Sequence, residues 1–190
     1  RIMTMDFHAD QIQGFFDIPV DHLKSEAIFI KHLTKQQNMS NVVFASPDVG
    51  GVKRARTYAK HFQRRLVICD KYRKRANEIA GMTIIGDVTG ADVILVDDIA
   101  DTAGTLCRAA DIIMEKGAKS VQALITHPVL SGNAYENINN SKLSKMIVTD
   151  TIPLKQESDK IEVISTSKLF AKAIRNTHEH RSISALFVGE

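Results

Sequence analysis

Ten residues of this 190-residue chain carry most of its chemistry: Val96-Asp97-Asp98-Ile99-Ala100-Asp101-Thr102-Ala103-Gly104-Thr105. They follow the apolar run Val93-Ile94-Leu95-Val96 and precede Leu106–Met114, where apolar residues recur with helical spacing. That order predicts a turn between a parallel strand and a helix, at the end of the sheet where open α/β folds take their ligands. Thr102, Ala103, Gly104 and Thr105 would present backbone N–H groups and two hydroxyls at the positive end of the helix, an arrangement suited to phosphate. Asp97 and Asp98, just ahead of the turn, can accept hydrogen bonds from sugar hydroxyls. A phosphate cradle beside a carboxylate pair reads as a sugar-phosphate site. The plainer alternative is an acidic strand end closed by a threonine cap.

The elements that must position these groups alternate along the chain. Strands are expected near Arg1–Met5, Val42–Ala45, Leu66–Cys69, Thr83–Ile85, Val93–Asp97, Val121–Ile125, Lys145–Thr149 and Ile161–Ile164. Helices fit Leu23–Gln37, Gly51–Phe62, Thr102–Lys116, Ala134–Asn139 and Ser167–Thr177. Such alternation predicts a mainly parallel sheet with helices on both faces. The segment 70–90 interrupts it with Lys71-Tyr72-Arg73-Lys74-Arg75, which reads as a basic flap leaving the strand next to the sugar-phosphate turn. A solvated charge run is the ordinary alternative.

Composition narrows the partners. Ten Lys and Arg residues against the single acid Asp70 lie between Lys53 and Arg75, although the whole chain carries only +3. That local field favours anionic ligands. Aromatic residues make up 6% of the chain and none forms a stacking platform among these bases, so a small polyphosphate is expected rather than nucleic acid. No apolar run reaches the roughly 20 residues of a membrane span. Residues 1–6 lack the layout of a secretion signal. Cys69 and Cys107 have no partner motif and are expected as reduced core residues. These features predict a cytoplasmic protein with no membrane contact.

The ten-residue stretch resembles the ribose-phosphate signature of the type I phosphoribosyltransferase fold. Further stretches narrow the resemblance: Asp6-Phe7-His8-Ala9-Asp10-Gln11-Ile12-Gln13-Gly14-Phe15-Phe16, Ser46-Pro47-Asp48-Val49-Gly50-Gly51, Thr126-His127-Pro128-Val129-Leu130-Ser131-Gly132 and Thr151-Ile152-Pro153. Together, and in this order, they resemble the class I ribose-phosphate diphosphokinase family over essentially the whole chain. The resemblance implies a type I phosphoribosyltransferase-like fold. It also implies transfer of a diphosphoryl group from Mg-ATP to the C1 hydroxyl of ribose 5-phosphate, with AMP leaving. Lys71 and Arg73 match the family's catalytic basic pair, with Tyr72 where the family often has a base. His8 and Asp48 match positions that bind Mg²⁺, Gly50 and Gly51 a pyrophosphate loop. Asp97, Asp98, Asp101, Thr102, Ala103, Gly104 and Thr105 match the ribose 5-phosphate site.

Members of that family are longer, with two tandem domains of related fold. The resemblance therefore implies a C-terminal fragment: residues 1–21 ending an absent first domain, residues 22–182 the second domain, and residues 183–190 a tail for packing on the absent one. Much of the ATP-recognition surface would be absent, so the isolated chain is expected to release little or no AMP. Homo-oligomers, hexamers in the family, are implied as well. Phe15 and Phe16 could supply interface area or core packing. A phosphoribosyltransferase, or a non-catalytic regulatory relative, is the alternative. Read on its own, His8 is a satisfied structural histidine more often than a ligand. Asp101 is expected to fix its turn rather than face a phosphate. His127, His178 and His180 are expected to be structural or surface residues, and Ser131 and Asn133 helix-cap or loop residues.

Overall fold

The chain opens with two short strands, β1 (Ile2–Met5) and β2 (Val20–Leu23), which pair in parallel as a small separate sheet. A 3-10 turn at Asp10–Phe15 lies between them. There follow α1 (Glu26–Gln36), β3 (Val42–Ser46), α2 (Val52–Phe62), β4 (Arg65–Tyr72), β5 (Gly81–Ile85) and β6 (Asp92–Ala100). The remainder is α3 (Gly104–Glu115), β7 (Ser120–Pro128), α4 (Ala134–Asn140), β8 (Lys145–Thr149), β9 (Ile161–Ile164) and α5 (Ser167–His178). This computed structural model describes residues 1–36, 38–72 and 81–187. Arg73, most of the basic flap and the last three residues of the tail lie outside the described residues.

The seven-stranded sheet has the order β5-β4-β3-β6-β7-β8-β9. Every pair in it is parallel except β4 with β5. Side chains of successive strand residues point to opposite faces, and the apolar strands divide accordingly. Val43, Ala45, Val93, Leu95, Val121, Ala123, Met146 and Val148 pack with Leu106, Ile113 and Ile138 from α3 and α4. Val42, Phe44, Ile94, Val96, Leu124 and Ile147 pack on the other face with Phe29 and Leu33 of α1 and Tyr58 of α2. Strands that are apolar at every position need cover on both sides, which is why helices lie on both. The expected α/β architecture is present. Cys69 and Cys107 are free and buried within the first of these layers, and burial pushes the Cys69 thiol up to about 12.

The fold departs from the sequence reading in three places. Strand β2 was not expected, and it takes Leu23 from the expected start of the first helix, which begins at Glu26. The expected domain boundary between residues 21 and 22 therefore falls inside β2. The flap does not leave the neighbour of β6, because β3 lies between β4 and β6. Its base is instead an antiparallel ribbon, with Lys71 opposite Met82 and Tyr72 opposite Gly81. As β4 and β6 both run parallel to β3, the flap still departs from the end of the sheet where β6 ends.

The small sheet sits on a separate apolar cluster, in which Met5 and Leu23 meet Ala173 of α5 and Leu186 near the chain end. Phe15, carried between β1 and β2, is 87% exposed and is not a core residue of this chain.

Candidate active site

A cleft of about 530 Å³ opens at the carboxyl ends of β3 and β6. It is lined by His8, Asp48, Gly50, Gly51, Arg54, Asp97, Asp98, Ile99 and Asp101. Seven of the residues singled out from the sequence meet there, although they are spread over 94 positions from His8 to Asp101. Thr102 to Thr105 follow Asp101 at the start of α3 and are not among the lining residues. Lys71 is exposed on β4, also outside the lining.

The acidic pair is held at three points. Asp98, with a side chain only 3% exposed, receives a hydrogen bond from His8 Nδ1 at 2.8 Å. Arg54 Nη1 approaches Asp98 Oδ1 at 3.2 Å and Asp97 Oδ1 at 3.5 Å. The Asp98 backbone N–H donates to Asp97 Oδ1 at 2.9 Å. Burial, reinforced by the hydrogen bond and charge of Asp98, pushes the Asp97 carboxyl up to about 7. Burial also opposes the charge on Asp98. The hydrogen bond with Asp97, the Arg54 cation and the His8 contact together outweigh it and hold Asp98 below the usual carboxylate range. Near neutrality the pair thus keeps one carboxylate charged and the other poised to change.

Arg54 was missed as a site residue. It lay within the basic run, where ten similar charges gave no reason to single it out. Its only sequence signal is its position three residues after Gly51, one turn into the helix that begins at the cleft.

The loop ahead of α2 is built on itself. Gly51 N–H donates to Asp48 Oδ1 at 2.9 Å, and Ser46 Oγ donates to the Asp48 carbonyl at 2.5 Å. A Cβ on Gly51 would lie 2.7 Å from Ser46 Oγ. Glycine there meets an internal packing need, whatever ligand approaches it. Asp48 retains a second carboxylate oxygen at the cleft.

The start of α3 has bare N–H groups. Its cap residue, Ala103, has φ 57° and ψ 4° and offers no side-chain cap. Thr102 is fixed by its carbonyl, which accepts from Asn137 Nδ2 at 2.9 Å. Asp101 accepts a hydrogen bond from Ser131 Oγ, and its carbonyl accepts from Ser131 N–H at 3.0 Å. Asp101 therefore stabilises its turn through Ser131. Uncapped helix N–H groups beside an open cleft are able to receive an anion.

Among the described residues, no three His, Cys, Asp or Glu side chains converge as a closed metal site. Mg²⁺ uses one or two carboxylates together with waters and substrate phosphates. An open donor set of Asp48 with His8 nearby fits an ion that arrives with its substrate.

The model of the phosphoribosyl synthetase-associated domain family matches residues 73–188. That is more than half of the chain, and the chain belongs to this family. A ribose-phosphate pyrophosphokinase of Porphyromonas gingivalis is 51% identical over 187 residues, covering 98% of this chain and 60% of the relative. Another of Wolinella succinogenes is 54% identical over 188 residues, covering 99% and 60%. The crystal structure of phosphoribosylpyrophosphate synthetase from Mycobacterium smegmatis matches with a TM-score of 0.86 at 34% identity, over 94% of this chain and 58% of that one. The chain thus spans about 60% of the length of these relatives.

Proposed function

We propose that this chain is the ribose-phosphate-binding portion of a ribose-phosphate diphosphokinase. The whole protein would move the diphosphoryl group of Mg-ATP to the C1 hydroxyl of ribose 5-phosphate, releasing AMP. The observation that carries this reading is the convergence of His8, Asp48 and the Asp97–Asp98 pair at one cleft beside the uncapped start of α3. The names of the relatives support it.

Each group has a task under this reading. The N–H groups at Thr102–Thr105 would hold the 5-phosphate. Asp97 and Asp98 would accept from the ribose hydroxyls, with Arg54 keeping the buried Asp98 charged. Gly50 and Gly51 would border the diphosphate. His8 and Asp48 would hold Mg²⁺, which when bound would offset negative charge on the phosphates. Lys71 of the ribbon, with Arg73 beyond it, would stabilise charge developing on the transferred group. Catalysis of this kind is mainly alignment and charge neutralisation.

The His8–Asp98 contact favours the diphosphokinase over a phosphoribosyltransferase, which needs the phosphate turn but not a histidine arm across the acids. Exposed Phe15, Phe16 and Ile18 form apolar surface suited to a homo-oligomer. Free, buried Cys69 and Cys107 suit a cytoplasmic setting.

Calorimetric titration of the chain with ribose 5-phosphate is the direct test. Saturable binding that weakens on Thr105→Val is expected, and absence of binding in the full-length protein would remove the reading. Incubation of both forms with Mg-ATP and ribose 5-phosphate should give AMP from the full-length protein.

A further inference from the structure

Three stretches with no task in this scheme meet at one place. They are Asp6 at the end of β1, Thr126-His127 at the end of β7, and Thr151 after β8. Asp6 is 4% exposed, and its Oδ2 accepts from Ser25 Oγ at 2.5 Å and Thr126 Oγ1 at 2.7 Å. The Thr126 carbonyl accepts from Thr149 Oγ1 at 2.6 Å and lies 2.9 Å from Thr151 Oγ1. His127 closes the group, with Nδ1 2.9 Å from Thr151 Oγ1 and Nε2 3.0 Å from both the Met5 and Asp6 carbonyls. Carbonyls only accept, so Nε2 carries the proton and donates to both.

These contacts act on the arm that reaches the cleft. Asp6, Phe7 and His8 are consecutive, and each has its own anchor. Asp6 is held as above. Phe7 N–H donates to His22 Nε2 at 2.8 Å. Burial, with the nearby Lys24 charge, lowers the His22 pKa and so favours the neutral form that can accept. His8 meets Asp98. Asp97 pairs with Ile125 and Ile99 with His127, so Asp98 lies beside Thr126 on the neighbouring strand. The end of β1 is thereby fastened across β6 and β7 at once. Asp6 has φ 42°, a backbone conformation that needs such support.

We propose that His127 is a positioning residue for the reaction: its Nε2–H grips the last carbonyls of β1, and this fixes His8 against Asp98. The proposal rests on the proposed function for its kinetic consequence, while its structural half stands independently. The ribose-phosphate turn is held by Ser131 and Asn137 rather than by His127. The grip on the 5-phosphate is therefore separable from the placement of His8, and Asp98 keeps its Arg54 contact when His8 is displaced.

The test compares His127→Ala with His127→Gln, whose amide can still donate to the two carbonyls. In ¹⁵N-edited NMR of the chain, the His8 ring-nitrogen shifts should match in wild type and His127→Gln and change in His127→Ala. In the full-length protein, His127→Ala should lower kcat by about 10- to 100-fold, the usual cost of losing a group that orients a ligand-bearing one. KM for ribose 5-phosphate should change much less than kcat, as expected when the phosphate turn and the Arg54 contact to Asp98 are kept, and His127→Gln should recover most of kcat. If His127→Ala does not fold, Thr151→Val, which removes the Nδ1 partner, should move the same His8 ring-nitrogen shifts.

Unchanged His8 ring-nitrogen shifts in His127→Ala or Thr151→Val would overturn the positioning role. So would equal losses in kcat and affinity without rescue by glutamine. If the wild-type protein fails to bind ribose 5-phosphate, the proposed function falls, and the NMR comparison still decides the role of His127.

Discussion

At the scale of single residues, the Asp97–Asp98 pair contributes to how the unliganded protein responds to pH. The Asp97 carboxyl rises from 3.8 to about 7 on folding, mainly through burial and secondarily through Asp98. A raised folded-state pKa means that the native state binds the proton more tightly than the unfolded chain. The associated stability is fully present below the unfolded value and is lost as pH rises through the folded value. Wild-type stability should therefore fall between about pH 4 and pH 7. Asp97→Asn should flatten that part of the profile and stabilise the unliganded protein at pH 8 by about 2 kcal/mol. Urea titrations at several pH values would check this, and an unchanged slope would show that Asp97 titrates normally. The acids were legible in the sequence as a pair. Their inequality was not, because it depends on Arg54 and His8, brought from distant parts of the chain.

At the scale of elements, most of the fold could be read from alternation and breakers. Strands β8 and β9 have the expected bounds because their apolar residues are bracketed by polar loops. Strand β2 was hidden: Val20-Asp21-His22-Leu23 is short and half polar, and it exists because β1 offers a partner. Strand order was likewise invisible, which is why the flap was placed one strand too close. The turn before α3 shows why small residues stand there. Ala103 has a left-handed backbone, where a Cβ is unfavourable and glycine is not. Ala103→Gly should keep the turn and raise stability by about 0.5–1 kcal/mol, while Ala103→Val should lower it by more than that. Thermal melts of the two variants would decide; a large loss in the glycine variant would mean that the alanine methyl, buried at 5% exposure, contributes more through packing.

At the scale of the whole molecule, two bodies of unequal size share one cleft. The large sheet supplies the acids and the uncapped start of α3, and the small sheet leads into His8. The sequence showed both sets of motifs but not the fastening between them, because Asp6, Thr126, His127 and Thr151 each look like ordinary polar residues until the strands are placed. The other side of the large sheet is finished differently. Strand β5 runs antiparallel to β4 along the margin, and Gly86 follows it with φ 115°. A Cβ there would come within 2.7 Å of Val67 Cγ1. Gly86→Ala should destabilise the protein by about 2 kcal/mol or more, through backbone strain and the clash together. Chemical denaturation would measure this, and a neutral result would show that the margin can yield.

The fit at Gly86 also bears on how the molecule behaves in a crowd. Pried from its neighbour, β5 would bare the amides of the strand that carries Lys71, a ready template for foreign strands. Sticky, light-scattering preparations would then be the first sign that a methyl group had been added at Gly86.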